Sequence, residues 1–564
     1  MYFNTTGKDE ATYDAIVVGS GISGGWAAKE LCEKGLKTLV LERGREVKHI
    51  VDYPTAGLDP WDLDYRDAIP QEELKDYEKQ SRTGYTIRQS SKHWFVKDTE
   101  HPYSEVKRFD WMRGYHVGGR SIMWGRQSYR WSDLDFEANA KEGIAVDWPI
   151  RYADIAPWYD YVEKFAGISG SKDGLPQLPD GQFLPPMELN CLEQHVKKSI
   201  ESNFKGRNLL IGRVANLTQE HNGRGSCQFR NRCIRGCPFG AYFSSNAATL
   251  PAAEKTGNMT LRPHSIVHSI IYDPATRKAK GVRIIDAETL ETKEFYAKII
   301  FLCASALAST QILMQSNLGN RSGELGHNLM DHHFRCGARG VYEGFEDRYY
   351  AGRRANGIYV PRFANLGNKE TERKDYLRGW GYQGGAGRDA WSTVVPEMMI
   401  GVGKEFKDNL LAPGPWRMNM LAFGECLPYH ENKAMLNEAV RDKYGLPTLT
   451  FDCEFKENEQ KMRKDMMNDA AEMLEASGLK NVETYDDGSW PGLGIHEMGT
   501  ARMGRDPKTS VLNAWNQLHE AKNIFVTDGA CMTSASCVNP SLTYMALTAR
   551  AAHYAVEELK KLNL

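Results

Sequence analysis

The sequence predicts an α/β fold: a discontinuous Rossmann-like domain plus a second domain in which an antiparallel sheet is covered by helices. Three observations carry this expectation. Tyr13 to Gly44 reads as strand, glycine turn, helix, strand. Strand and helix signals of the same kind return in the middle of the chain and near its C-terminal end. Between them, Gly340 to about Thr484 changes character and mixes aromatic strands with a long charged helix.

In the first stretch, the apolar run Ala15 to Val18 leads directly into Gly19, Gly21 and Gly24, in G-x-G-x-x-G spacing. The first glycine allows the turn, the second lets a pyrophosphate approach the backbone, and the third lets helix and strand pack closely. The helix N-terminus then turns its free N–H groups toward the phosphates. A second apolar run, Thr38 to Leu41, ends at Glu42, where a carboxylate can accept hydrogen bonds from a ribose. The motif predicts a dinucleotide without separating FAD from NAD.

At 564 residues the chain can bury large cores and should hold two or more domains. It is 41% hydrophobic and 26% charged with a net charge of −2, so no basic stripe suggests nucleic acid. The polar start MYFNTTGKDEATYD lacks the apolar core of a signal peptide, and no apolar run reaches the length of a membrane span. The expectation is a chain without a span of its own. It is either cytoplasmic or carried to the periplasm by co-export with a partner subunit.

Further elements follow in order. Glu46 to Tyr103 is polar and aromatic, with a helix-like patch at Gln71 to Lys79, and reads as an excursion. Arg113 to Arg130 is glycine-rich without helical period, so it predicts a loop able to lie against a ligand. Asp154 to Phe165 starts like a capped helix. Met259 to Arg262, Ile266 to Tyr272, Lys280 to Asp286 and Glu294 to Tyr296 read as strands, the last two paired on a meander. Lys298 to Leu302 reads as a separate buried strand, and Ala306 to Ser316 as a helix. In the second domain, Met418 to Phe423 and Pro447 to Phe455 are strands. The charges of Glu457 to Ala476 form a solvated helix face. Asn523 to Thr527 is a buried strand ending at Asp528, and Ser541 to Lys560 is the closing helix.

Several residue sets could carry chemistry. His496 sits between glycines in GIHEMGTARMG, where a neutral imidazole can accept a hydroxyl proton. Asn539, in SCVNPSLTYMAL, can hydrogen-bond the same oxygen or simply cap the helix that Pro540 opens. Of the 11 cysteines, only Cys227, Cys233 and Cys237 cluster, followed by Pro238. Thiolates at this density suit iron–sulfur or zinc; zinc would want a fourth ligand, for which His221 is poorly spaced and Cys191 remote. His332 and His333 read as structural loop histidines, since adjacent residues rarely point the same way. Gly384, Gly385 and Gly387 read equally as a mobile lid or an open surface loop.

Four stretches together resemble the glucose-methanol-choline (GMC) flavoprotein oxidoreductases: Gly19 to Glu42, Gly118 to Arg126, the HEMGT motif at His496, and Asp528 to Thr543. The resemblance implies FAD, held by Gly19, Gly21, Gly24 and Glu42, by Gly118 and Gly119 in a loop along the flavin, and by Asp528 and Pro540. It implies His496 as catalytic base with Asn539 beside it. Some relatives attach flavin covalently through a His in that loop; here Met123 stands in its neighbourhood, so non-covalent FAD is expected.

The cysteine spacing is similar to that of bacterial sugar dehydrogenase subunits of the family, among them glucoside 3-dehydrogenases and the fructose, glucose and gluconate dehydrogenases. That likeness implies a [3Fe-4S] cluster at Cys227, Cys233 and Cys237. It also implies a sugar or glycoside substrate, oxidation at C3 of a glucoside, a small partner subunit, and a cytochrome c or quinone-linked acceptor. The alternatives are fructose, glucose or gluconate dehydrogenation, and an oxygen-dependent oxidase. The expected partition is residues 1–135, 221–339 and 491–564 for the FAD-binding domain and 136–220 and 340–490 for the substrate domain.

Overall fold

The computed structural model describes residues 12–349, 355–388, 401–411 and 413–564. Most of the polar N-terminal stretch, and Asp389 to Trp391 at the end of the glycine-rich run, lie outside the described residues.

Seven strands form one sheet in the order Met259–Arg262, Thr38–Leu41, Thr12–Val18, Thr292–Leu302, Lys278–Asp286, Ser265–Asp273. Ile524–Val526 also pairs with Thr292–Leu302. The glycine-turn strand is parallel to both of its neighbours. Ala15, Ile16 and Val17 are wholly buried, as expected for a strand covered on both faces. The crossover helix Ile22–Glu33 packs on the closing helix Ser541–Lys560. Trp26 on the crossover helix is fully buried and meets Phe165 edge-on at 5.2 Å. Across the sheet Phe301 and Phe525 stack at 4.9 Å, a pair worth about 0.5–1.5 kcal/mol beyond its buried area.

The second sheet has six strands in the order Lys480–Asp486, His333–Tyr342, Trp416–Gly424, Trp380–Arg388, Ile358–Val360, Leu210–Ile211, antiparallel throughout. Trp416, Met418, Met420 and Ala422 alternate with less buried neighbours, so one face of the sheet is apolar. The helix Glu457–Ala476 covers that face, burying Met462, Met466, Ala470, Met473 and Leu474 at helical spacing. A third, three-stranded sheet joins Lys433–Arg441, Pro447–Asp452 and Ser104–Glu105.

Several expectations are corrected. Glu294 to Tyr296 and Lys298 to Leu302 form one strand, Thr292–Leu302. Its first part pairs antiparallel with Lys278–Asp286, and from Tyr296 onward it runs parallel to the first strand, so a change of partner looked like a break. Pro447–Asp452 belongs to the small sheet, with Ser104–Glu105, just after the early excursion, as its parallel partner. Gly384, Gly385 and Gly387 are neither lid nor open loop. They lie in the strand Trp380–Arg388, where a Cβ on Gly384 would stand 2.0 Å from Asn419 O. The helix Glu457–Ala476 is not charged only toward solvent: Glu459, Arg463 and Asp469 are buried, and Arg463 pairs with Asp486. Among the described residues no helix is long and apolar enough to cross a membrane.

Candidate active site

A cavity of about 820 Å³ runs from the glycine turn to His496 and Asn539. At the turn, Gly19 adopts φ +93°, and a Cβ there would stand 2.5 Å from Cys303 O. Gly24 is tighter still, since a Cβ would fall 1.9 Å from Gly19 O. Gly21 is different: a Cβ would meet only Gly118 O at 4.0 Å, so its backbone borders open space. These are the three roles that the spacing assigns to a dinucleotide turn. Glu42 accepts from Ser20 N at 3.1 Å, Ser20 Oγ at 2.6 Å and Gly44 N at 2.9 Å, and burial pushes its carboxyl up. It lines the cavity at the end of the second strand, where a ribose is expected.

The flavin-side loop is tied to this turn. Gly118 N donates to Ser20 Oγ at 2.9 Å, and a Cβ on Gly119 would lie 3.5 Å from Gly21 Cα. Gly118 is left-handed, φ +87°, with Asn246 packed against it. Asp528 follows the Ile524–Val526 strand and lines the cavity. It accepts from Ser309 Oγ at 2.5 Å and Ala530 N at 3.1 Å, and burial raises its pKa to about 6. The cradle therefore fits the dinucleotide predicted from the sequence, with a backbone approach at Gly21 and the cavity beyond it. Pro540 does not border the cavity. It sits just ahead of the helix Ser541–Lys560, while Asn539, Ser541 and Tyr544 do border it.

At the other end, five separate segments converge. Met330 and Met498 bridge through both of their backbone groups, setting Asp331–His332 beside Gly494–Glu497. Asp331 accepts from Gly494 N at 2.8 Å and His496 N at 3.0 Å, which fixes the backbone carrying His496. Burial, with Glu497 nearby, raises Asp331 to about 7. Arg120 of the flavin-side loop grips Glu497 bidentately at 2.9 and 2.8 Å, locking that loop to the His496 segment. His496 Nε2 lies 3.4 Å from Asn539 Nδ2, and Asn539 Oδ1 accepts from Gln383 Nε2 at 2.7 Å. Asn539 therefore lines the cavity and does not cap the helix. Burial first, then His332 and Arg120, hold His496 well below the ordinary imidazole pKa, so it is neutral at pH 7.

Sequence reasoning missed Gln383, Asp331, the Arg120–Glu497 clamp and His332. His332 was expected to be structural, yet its Nδ1 lies 2.8 Å from His496 Nδ1. His333, by contrast, fits that expectation: it is buried and packs against Gly424.

The cysteine segment is held differently from its expectation. Cys227, Cys233 and Cys237 are free and half-buried. Among the described residues, however, no three Cys, His, Asp or Glu side chains come together as a group able to hold a metal ion. The segment is pinned in another way. Arg230, Arg232 and Arg235 donate to the carbonyls of Ala56, Gly57 and Leu58, and Tyr53 packs on Gly236. Cys227 N is drawn to Leu217 O, and Phe229 and Asn231 take left-handed turns. As folded, the segment does not fit the expected [3Fe-4S] ligand set, although Cys233 borders the cavity.

Comparison with known proteins agrees with this arrangement. The chain is 28% identical to 2-methyl-1,2-propanediol dehydrogenase of Mycolicibacterium austroafricanum, over 98% of this chain and 96% of that one. It is 23% identical to the fructose dehydrogenase large subunit of Gluconobacter japonicus, over 97% and 98%. Its fold is similar to that of a formate oxidase of Aspergillus oryzae RIB40, with a TM-score of 0.61 at 14% identity, covering 98% and 99% of the two chains. The GMC oxidoreductase pattern itself matches residues 13–334, which hold the glycine turn, the flavin-side loop and His332, and residues 428–548, which hold His496 and Asn539. The chain therefore belongs to the GMC oxidoreductase family.

Proposed function

We propose that this protein is an FAD-dependent sugar dehydrogenase that oxidises a secondary hydroxyl to a ketone, with C3 of a glucoside as the favoured position. The observation that carries the reading is the His496–Asn539 pair at one end of a cavity whose other end is a dinucleotide turn. FAD held at the glycine turn would supply the acceptor for the hydride of the carbinol carbon. His496 Nε2 takes the hydroxyl proton, which raises electron density on that carbon. Asn539, held by Gln383, turns its amide N–H groups toward the same oxygen. Tyr85, Phe334 and Phe423 also line the cavity, and the two phenylalanines stack at 5.1 Å, giving an apolar surface suited to the C–H groups of a sugar ring. Met123, also in the wall, cannot form a histidyl link to flavin, which supports non-covalent FAD.

Fructose, glucose or gluconate dehydrogenation is the second reading, supported by the likeness to the fructose dehydrogenase large subunit. Electrons then leave to a cytochrome c or quinone-linked acceptor, with a small partner subunit. A [3Fe-4S] cluster belongs to the proposal on donor chemistry alone: free thiols at Cys227, Cys233 and Cys237, of which Cys233 borders the cavity. Holding it would require that segment to fold differently around the metal.

Incubation with a glucoside, glucose, fructose and gluconate, followed by NMR of the products, tests the reaction. A 3-keto glucoside is expected; the keto product of another sugar moves the assignment to the second reading. Peroxide matching turnover in air would make the enzyme an oxidase. Iron and acid-labile sulfide in anaerobically purified protein support the cluster, and zinc without iron removes it.

A further inference from the structure

His332 is fully buried, and both of its ring nitrogens have partners. Nε2 lies 2.9 Å from Ser536 O and 3.3 Å from Ala535 O. Carbonyl oxygens can only accept, so Nε2 must carry a hydrogen. A bare Nε2 would set a lone pair against two buried carbonyls, leaving all three groups unsatisfied. Burial drives the His332 pKa down to about 4, so the ring holds one proton at neutral pH. With that proton on Nε2, Nδ1 is an acceptor. The group facing it at 2.8 Å is His496 Nδ1, which must therefore be the donor.

We propose that His332 is the positioning residue that holds His496 as its Nδ1–H tautomer, leaving Nε2 bare toward the cavity beside Asn539. The inference rests on His496 being the base of the proposed reaction, and it explains why His496 is ready to act as one. A neutral imidazole in the other tautomer would present N–H to the substrate hydroxyl and could not take its proton. When the substrate O–H bond breaks, the proton forms a new N–H bond at His496 Nε2. The resulting imidazolium keeps its Nδ1–H donated to His332, whose lone pair stabilises the charge. The path ends there, because the far side of His332 is a proton already given to Ser536 O. The proton taken from substrate must leave by the way it came, through Nε2 and the cavity.

The groups facing this pair are Asp331 and Glu497 on the two bridged segments, Arg120 from the flavin-side loop, and Asn539 from the closing segment. None of these four is hydrogen-bonded to His496 Nδ1; among the described residues its side-chain partner is His332.

The test is anaerobic stopped-flow reduction of the FAD-loaded enzyme by the sugar that gives product. His332→Leu removes the acceptor and frees the tautomer. The limiting rate is expected to fall about 10- to 100-fold, part of the roughly 10²–10⁴ that a positioned base supplies. The half-saturating sugar concentration is expected to change little. In His332→Asn a side-chain oxygen can still accept from Nδ1, so this variant should be at least about tenfold faster than His332→Leu. A His332→Leu rate within about twofold of the native enzyme overturns the proposal, as does His332→Asn being equally slow. If His496→Ala itself leaves flavin reduction intact, the base reading fails instead. NMR of the native holoenzyme with isotope-labelled histidine reads the tautomer directly and needs no variant. Hydrogen on Nδ1 of His496 is expected, and hydrogen on Nε2 refutes the inference.

Discussion

The two ends of the cavity are built by different means. At the glycine turn the walls are backbone: Gly19, Gly21 and Gly24 lie within six consecutive residues, and their work is done by having no side chain. At the reacting end the walls are side chains, drawn from residues 120, 331–332, 383, 494–497 and 539, and joined by hydrogen bonds across more than 400 positions of sequence. A backbone-built site tolerates no added atoms. A side-chain-built site tolerates no lost partners. Each end should therefore fail in its own way, and variants can set the two failures apart.

The largest effect is expected at the reacting end. His496→Ala should slow sugar-driven flavin reduction by about 10²–10⁴-fold while the protein still loads FAD. Rapid mixing under anaerobic conditions measures the rate, and flavin absorbance measures the loading. An equal loss of FAD would erase the distinction between the two ends. Next comes the turn. Gly24→Ala places a carbon where Gly19 O already stands at 1.9 Å, a strain of about 1–3 kcal/mol. Flavin content and melting temperature should both drop, whereas the reduction rate per bound flavin should hold.

Gln383→Leu is subtler. It leaves Asn539 Oδ1 without its donor and the amide free to turn over, a loss of about 1–3 kcal/mol, so the limiting rate should fall by roughly tenfold at unchanged flavin content. The smallest effect is in pH dependence. Burial disfavours the imidazolium form of His496, so its neutral, active form persists below the ordinary 6.5. The reduction rate should stay on its plateau as pH falls through 6.5 and decline only further into acid. A decline centred at or above 6.5 would contradict the buried, neutral base.

What was legible in the sequence follows the same division. The glycine turn, Glu42 and the first and last helices were readable because local spacing specifies them. His496 and Asn539 were readable only through a resemblance, since spacing alone left Asn539 as a helix cap. His332 and Gln383 carried no local signal. One sits in a pair of histidines that looked structural, the other beside glycines that looked like a loop, and each acquires its role from a partner more than 150 residues away. The strand Thr292–Leu302 was divided because its pairing changes direction midway, which no periodicity shows. The cysteine triplet is the converse case. Its spacing was clear, but the arginines that tie the segment to Ala56–Leu58 hold the thiols in another arrangement.

The strand Trp380–Arg388 reaches Asn539 through one residue, Gln383, and contributes nothing to the glycine turn. The wall of the second sheet and the glycine turn are therefore built from different strands. A library confined to Phe334, Phe423 and Tyr85 would vary which alcohols are accepted and leave both the nucleotide cradle and the Gln383–Asn539 contact intact. New substrates would be reached by rewriting that wall, with the glycine turn untouched.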